Sequence, residues 1–340
     1  MNKIDINLDA TGLGHSACNL EFNLACIEGY KTLMNCNAIY GVALHKFTEV
    51  MYKTGGDFRE SVRAGLASFN RPKLEVPERQ AWLGDPKHFQ VSCYNLWTQQ
   101  VESDTDFSLL TIPAKCYWCD GTGNGPIPIP CPKCEGTGVT IGPAVEVTFR
   151  ILFYEDEFVR IWLCGTIDKI GQIKGGCYAI GDWKTTSQWD KEKFLSFFQM
   201  HRQLRIYTLA LKKMAILEPD SILGKFGSKN FTSFIDGIFL KAQANDNEYK
   251  RQHLEPFSAK SMAEFEATLQ DYCTKLSYNV QHNRWTKEGL LNGSCRKGWG
   301  KCSFWNVCRT DDRIAKVLLE RDFTRVQYNP LNFAGEGVEE

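Results

Sequence analysis

No apolar run in this 340-residue chain reaches the roughly 18 residues that a membrane-crossing helix needs. The opening residues, MNKIDINLDATGLGHSA, lack the apolar core of a secretory leader, so a cytoplasmic protein without a membrane partner is expected. Net charge is absent too: 40 basic side chains balance 40 acidic ones. That balance neither announces nor excludes nucleic acid, because a local basic face binds phosphates on a neutral chain. There is no G-x-x-x-x-G-K-[ST] loop, which excludes a P-loop helicase motor; any unwinding requires another protein. There is no solenoid repeat either.

Cysteine, by contrast, is plentiful. Fourteen cysteines without an export signal suit metal ligation better than a disulfide framework. Hydrophobic residues at 43% and charged residues at 24% are globular values, and the length allows a substantial core.

Residues 16–53 read as largely helical, with apolar residues three and four apart. The stretch 71–100 carries prolines and reads as irregular. A cysteine- and glycine-rich insert occupies 114–142. AVEVTFRILFY and EFVRIWLCGTID read as strands joined by an acidic turn, with CYAIGDWKT as a third. A strong helix is expected over 191–214, a further strand at FIDGIFLKAQ, and a last long helix at SMAEFEATLQDYCTKLSYNVQHN. The chain so divides into an N-terminal helical part (1–113), the insert (114–142), an α/β core (143–310) and a tail (311–340).

Asp182 and Lys184 are two apart, so on a strand they share one face while Trp183 takes the other. If the hairpin turns near Lys174, Gly175 and Gly176, Asp168 lies almost opposite Asp182. Directly opposed strand residues are roughly 5 Å apart at Cβ, where two like charges are unfavourable unless a cation lies between them. A hard divalent ion such as Mg²⁺ or Mn²⁺ resolves the conflict, and Lys184 can then orient an attacking water or stabilise developing charge. An ordinary solvated Asp–Lys pair fits these residues equally well. Elsewhere, Gln203 and Tyr207 are four apart on the long helix, as are Gly41 and His45 near the N-terminus; each pair shares a helix face.

Taken in order, G-x-x-x-H, G-x-I-D, D-W-K and Q-x-x-x-Y closely resemble the RecB-like branch of the PD-(D/E)XK nuclease superfamily. The resemblance spans roughly 16–308, the insert excepted. It implies an α/β restriction-endonuclease-like core, a mixed central sheet flanked by helices. His45, Asp168, Asp182 and the Trp183 carbonyl would hold Mg²⁺ or Mn²⁺, with Lys184 catalytic and Gln203 and Tyr207 positioning DNA or the lysine. Glu146 matches a further acidic position of that branch.

The C-terminal run CRKGWGKCSFWNVC supplies Cys295, Cys302 and Cys308, one ligand short of four, and SACNLEFNLACIEGY supplies Cys18 and Cys26. Iron–sulfur members of the branch, AddB and the CRISPR-associated exonucleases, have one cysteine before the histidine motif and three at the C-terminal end. By that resemblance Cys26 joins the three around a [4Fe–4S] cluster, with Zn²⁺ as the alternative occupant. In the insert, CYWCDGTGNGPIPIPCPKCEGTG holds two C-x-x-C-x-G-x-G units with eleven residues between Cys119 and Cys131. Cys116, Cys119, Cys131 and Cys134 can close one structural Zn²⁺, the glycines permitting tight turns around it. This unit resembles half of the zinc domain of DnaJ-type chaperones.

The expected activity is a metal-dependent deoxyribonuclease, an exonuclease acting on DNA ends or single strands with a helicase or recombination partner, in phage-type or CRISPR-associated DNA processing. The competing function is a DNA-binding or DnaJ-like zinc protein without nuclease activity. It leaves D…DWK unexplained, and the His-Pro-Asp triplet of J-domains is missing.

Overall fold

The computed structural model describes residues 3–32, 36–67, 78–119, 121–124, 130–188, 190–297, 300–326, 328–329 and 331. The expected mixed sheet flanked by helices is present. Its central strands are β1 (Ile4–Leu8), β2 (Phe107–Leu109), β5 (Val145–Glu155), β6 (Val159–Ile173), β7 (Tyr178–Thr186), β8 (Phe231–Phe239) and β9 (Glu248–Leu254); β3 (Thr111–Lys115) and β4 (Val139–Pro143) form a separate ribbon. The principal path runs β1-β6-β7-β8-β9, with β2 and β5 also paired to β6. β1 runs parallel to β6 and β7 parallel to β8, whereas β6–β7 and β8–β9 are antiparallel.

Helices cover both faces because the central strands β6, β7 and β8 bury side chains on both. On one side, α4 (Arg202–Leu217) and α5 (Ala259–His282) pack Leu204, Leu211, Leu269 and Leu276 against Ile235, Phe239 and Ile180 of the sheet. On the other, α1 (Cys36–Thr54), α2 (Phe58–Ala67) and α3 (Pro86–Ser103) bury Tyr40, Leu44, Phe47, Val62 and Phe89 over Ile238. Along α1 the buried positions Cys36, Ile39, Tyr40, Ala43, Leu44, Phe47, Val50 and Met51 recur at three and four, the pattern of one apolar helical stripe.

β6 is long enough to have four partners. One edge pairs with β5 and then β2; the other pairs with β1 as far as Leu163 and with β7 from Lys169 onward. Between those two ladders β6 and β7 part, and Asp168 and Asp182 stand at the fork. The β6–β7 turn is where expected, with Gly175 and Gly176 at φ of 105° and 92°.

Three helical expectations are corrected. Residues 16–53 are not one run: a short helix Asn19–Phe22 and a π-helical turn Asn23–Ile27 end at Gly29 (φ 78°), and Tyr30–Lys31 pairs with Thr324–Arg325. Residues 86–100, expected to be irregular, belong to α3. Pro86 begins that helix rather than breaking it, and Asp85 caps it by accepting from the Lys87 N–H at 2.9 Å. The 191–214 helix is interrupted: Lys191–Ser196 and a 3₁₀ turn Phe197–Met200 precede extended His201, which caps α4.

The insert folds as two matching halves. Cys116 N–H donates to Gly138 O (2.9 Å) and Cys131 N–H to Gly123 O (2.8 Å). Gly121, Gly123, Gly136 and Gly138 all have φ between 73° and 82°. A Cβ on Gly123 would lie 2.2 Å from Gly136 O, and one on Gly138 would lie 2.3 Å from Gly121 O. All four glycines are favoured by conformation, and Gly123 and Gly138 are required by backbone approach as well.

Candidate active site and metal centres

β7 places Asp182 and Lys184 on one face and buries the Trp183 ring on the other, as alternation demands. Where the ladder ends, the Asp168 carboxylate accepts the Trp183 N–H at 2.6 Å, a side chain replacing the lost strand partner. α1 approaches the same strand at Gly41, where a Cβ would make ordinary contact with Thr185 at 3.6 Å. One turn further along α1, His45 Nδ1 comes within 3.9 Å of Asp168 Oδ2.

His45, Glu146 and Asp168 bring their ligand atoms within 4.8 Å of one another. Glu146, at the start of β5, holds φ at 51°, a left-handed conformation uncommon outside glycine. Asp182 stands beside this trio with different contacts. Its Oδ1 accepts from Gln203 Nε2 at 2.9 Å, and its Oδ2 is ion-paired to Lys184. The Lys184 ammonium also donates to the Trp183 carbonyl at 3.3 Å. A cation thus already sits between the Asp182 carboxylate and the Trp183 carbonyl, two of the groups expected to hold a metal.

Burial pushes Asp168 and Asp182 up to about 6, even with the Lys184 ammonium nearby. Glu146 is driven well above the usual carboxylate value by burial and by the Asp168 charge. Burial, with Lys184 close by, lowers His45 to about 4, so its imidazole is neutral at pH 7 and free to ligate. Acids crowded out of water beside a neutral imidazole form a donor set suited to a hard divalent cation.

Gln203 and Tyr207 do share a face of α4. Gln203 Nε2 donates to Tyr207 Oη at 2.6 Å, and Tyr207 donates to Thr166 O at 2.5 Å. Through Asp182 this chain positions Lys184. Tyr207 is only 4% exposed, and both of its hydrogen bonds are internal to the fold. His201, missed in the sequence, lies close enough to Lys184 and Arg202 for burial and their charges to lower it to about 4.

Four basic side chains, Arg202, Arg205, Lys212 and Lys213, lie on α4; Arg205 is buried, donating to Ser261 Oγ at 2.8 Å. Lys212 donates to Lys229 O, Lys213 pairs with Glu266 and Arg202 donates to Ala10 O. All four are engaged by the fold.

Cys116, Cys119, Cys131 and Cys134 come together as the spacing requires, buried and with sulfurs within 4.8 Å of one another. A second set of thiols lines a cavity of about 80 Å³: Cys295, Cys302 and Cys308 with Cys18, beside Glu21 and Lys287. Cys26, expected there, is not among the residues lining this cavity and is buried in the adjoining core, which Cys302 also enters. The reason is local. Residues 17–20 are stitched to 286–294: Leu20 N–H donates to Thr286 O (3.1 Å), Asn19 N–H to Glu288 (2.8 Å) and Asn292 Nδ2 to Ala17 O (2.6 Å). Those bonds bring Cys18 to the C-terminal loop, while the π-helical turn carries Cys26 inward. The only sequence signal for Cys18 is its place at the start of a helix.

A mixed sheet flanked by helices, with two carboxylates and a lysine at the fork of its central hairpin, is the architecture of a nuclease-superfamily protein. The chain belongs to the PD-(D/E)XK nuclease superfamily, whose family model matches residues 15–309. Among solved structures it is similar to a "Putative exonuclease" from Eubacterium rectale, at 10% identity and a TM-score of 0.37, over 91% of this chain and 94% of that one. No match is found among the curated proteins. Among the described residues, no helix is long and apolar enough to cross a membrane.

Proposed function

We propose that the chain is a Mg²⁺- or Mn²⁺-dependent deoxyribonuclease of the RecB-like branch, an exonuclease acting on DNA ends or single strands. The observation that carries the reading is the fork: His45, Glu146 and Asp168 converge, and beside them Lys184 bridges the Asp182 carboxylate and the Trp183 carbonyl. These residues would hold the divalent ion, which when bound supplies the Lewis acid for phosphodiester hydrolysis. The residues do the rest. Neutral His45 offers a ring nitrogen. Asp182, freed of its ammonium, offers a second carboxylate. Lys184 then faces the reacting phosphate, where it orients the attacking water and stabilises the developing charge. Gln203, held by Tyr207, keeps Asp182 aligned throughout. With no motor loop in the sequence, strand separation falls to a helicase or recombination partner.

The two cysteine sets differ in a way that supports different occupants. Thiolates about 2.3 Å from one tetrahedral zinc lie roughly 3.8 Å from each other, which suits the tight Cys116, Cys119, Cys131 and Cys134 group in the ribbon over 114–142. Cys18, Cys295, Cys302 and Cys308 are spread around a cavity instead, as ligands to four separate irons are. We assign a structural Zn²⁺ to the first set and a [4Fe–4S] cluster to the second.

The test is digestion of end-labelled single-stranded and duplex DNA by purified protein with Mg²⁺, Mn²⁺ or chelator, alongside Lys184→Ala. Metal-dependent loss of label that disappears in the variant supports the reading. Digestion that persists undiminished in Lys184→Ala removes the lysine from the chemistry, and no digestion under any condition leaves the binding-protein alternative.

A further inference from the structure

Behind the fork, on the face covered by α1 and α3, four charged side chains cluster, two of them fully buried and two partly so. Lys169 of β6 and Asp236 of β8 are fully buried and ion-paired. Arg251 of β9 donates from Nε to Asp236 Oδ1 at 2.8 Å and also pairs with Asp104. Tyr52 of α1 donates to Asp104 and accepts from Gln100 at 2.7 Å. Lys169 Nζ lies 5.1 Å from the Trp183 ring, 5.3 Å from Phe234, 5.7 Å from Phe107 and 5.8 Å from Tyr52. The Trp183 ring stacks on Tyr52 at 6.2 Å and meets His45 edge-on at 5.7 Å.

Burying ions is costly, and an apolar cluster of equal volume is often no less stable, so such a network is best explained by the geometry it selects. Its position says which geometry. Lys169 follows Asp168 directly and is the first residue of the β6–β7 ladder, opposite Gly181. A slip of one residue would exchange Asp168 and Lys169 across the sheet, putting an ammonium among the ligands and a lone carboxylate among the rings. Gly181 keeps the path over β7 open, since a Cβ there would come within 2.3 Å of the Phe234 ring.

We propose that Lys169 is a positioning residue: paired with Asp236 across Gly181, it sets the register of β6 on β7 and the seat of Trp183, whose N–H and carbonyl face the carboxylates. The proposal rests on reading the fork as a divalent-metal centre, and its test separates the two.

Lys169→Met alone leaves Asp236 with one cation fewer in the core and can fail to fold. Lys169→Met/Asp236→Leu removes both charges and leaves Arg251 balanced by Asp104. Three quantities are compared with wild type: Mn²⁺ affinity by electron paramagnetic resonance, hydrogen exchange of the Trp183 amide in metal-free protein, and kcat and KM on DNA. In the double variant, Mn²⁺ affinity is expected to drop about tenfold or more. Its Trp183 amide should exchange faster, and kcat should fall with KM unchanged. Wild-type Mn²⁺ affinity and amide protection in the folded double variant would overturn the proposal, as would a fast-exchanging Trp183 amide in the wild type itself. If wild type neither binds Mn²⁺ nor cuts DNA, the metal reading fails, while the metal-free exchange data still decide whether Lys169 positions Trp183.

Discussion

Asp182 divides its two oxygens between Gln203 and Lys184, and that division links the chemistry to the fold. Removing the ammonium in Lys184→Ala should lower kcat by about 10²-fold or more, the scale seen when one charge-stabilising donor is lost, with little change in DNA affinity. Single-turnover cleavage checks this. The raised carboxyls also give a stability prediction. In metal-free protein Asp168 and Asp182 titrate near pH 6, against 3.8 for the free side chains, so between those values the folded state holds more protons than the unfolded. Stability from this source is therefore present at about pH 4 and lost as pH rises through 6. Asp182→Asn should remove its share, leaving the chelated variant more stable than chelated wild type at pH 7, with the gap closing near pH 4. Divalent ion should reverse the order at pH 7 by stabilising only the wild type, an effect that shrinks below pH 6 as protons compete. Thermal unfolding of both proteins across pH, with chelator and with Mn²⁺, measures each part.

Among the elements, the hairpin was the most legible, because its strands, its glycine turn and the opposition of its two acids all follow from alternation and turn chemistry within a couple of dozen residues. The helices were less so. Prolines in 71–100 looked like breakers, yet Pro86 occupies the one helical position where its missing N–H costs nothing. The break at His201 leaves no sequence mark, since the stretch around it keeps helical spacing; in the fold Phe198 is buried just before it and half-buried Phe194 packs on Phe239 of the sheet. The insert is where local sequence determines most. Gly123→Ala combines a positive φ with a carbonyl that would sit 2.2 Å from the new Cβ. On the zinc assignment proposed above, it should abolish Zn²⁺ binding by the ribbon while leaving the sheet and its helices folded. Zinc content per chain, read beside far-UV circular dichroism, distinguishes this from general unfolding.

For the molecule as a whole, the decisive contacts join the two ends of the matched region. Segment 17–20 is hydrogen-bonded to 286–294, and the adjoining cavity is lined by Cys18 of the first and by Cys295, Cys302 and Cys308 just beyond the second. A cluster there would cross-link positions some 280 residues apart, so its loss should unsettle the N-terminal segment first. Cys18→Ala should abolish iron binding under anaerobic purification, and Cys26→Ala should retain it, at the cost of a small core truncation. Iron and zinc analysis of both variants decides the ligand: iron retained in Cys18→Ala and lost in Cys26→Ala would reverse the assignment.

The sequence by itself determined the four strands β5 to β8, the glycine turn, the opposed acids with their lysine, and the four thiols of the insert, while β1 to β4 and β9 appear only in the fold. All of these depend on neighbours within a few residues or on two halves closed by a short loop. Only the tertiary structure decided that Cys18 and not Cys26 meets the C-terminal thiols, and that Arg205 is spent inside the fold. It also decided that Lys169, one residue from Asp168, belongs to a buried ionic network on the opposite face. Those choices turn on which surfaces meet across tens to hundreds of residues, where one hydrogen-bonded stitch or one π-helical turn redirects a side chain without changing the local pattern that announces it.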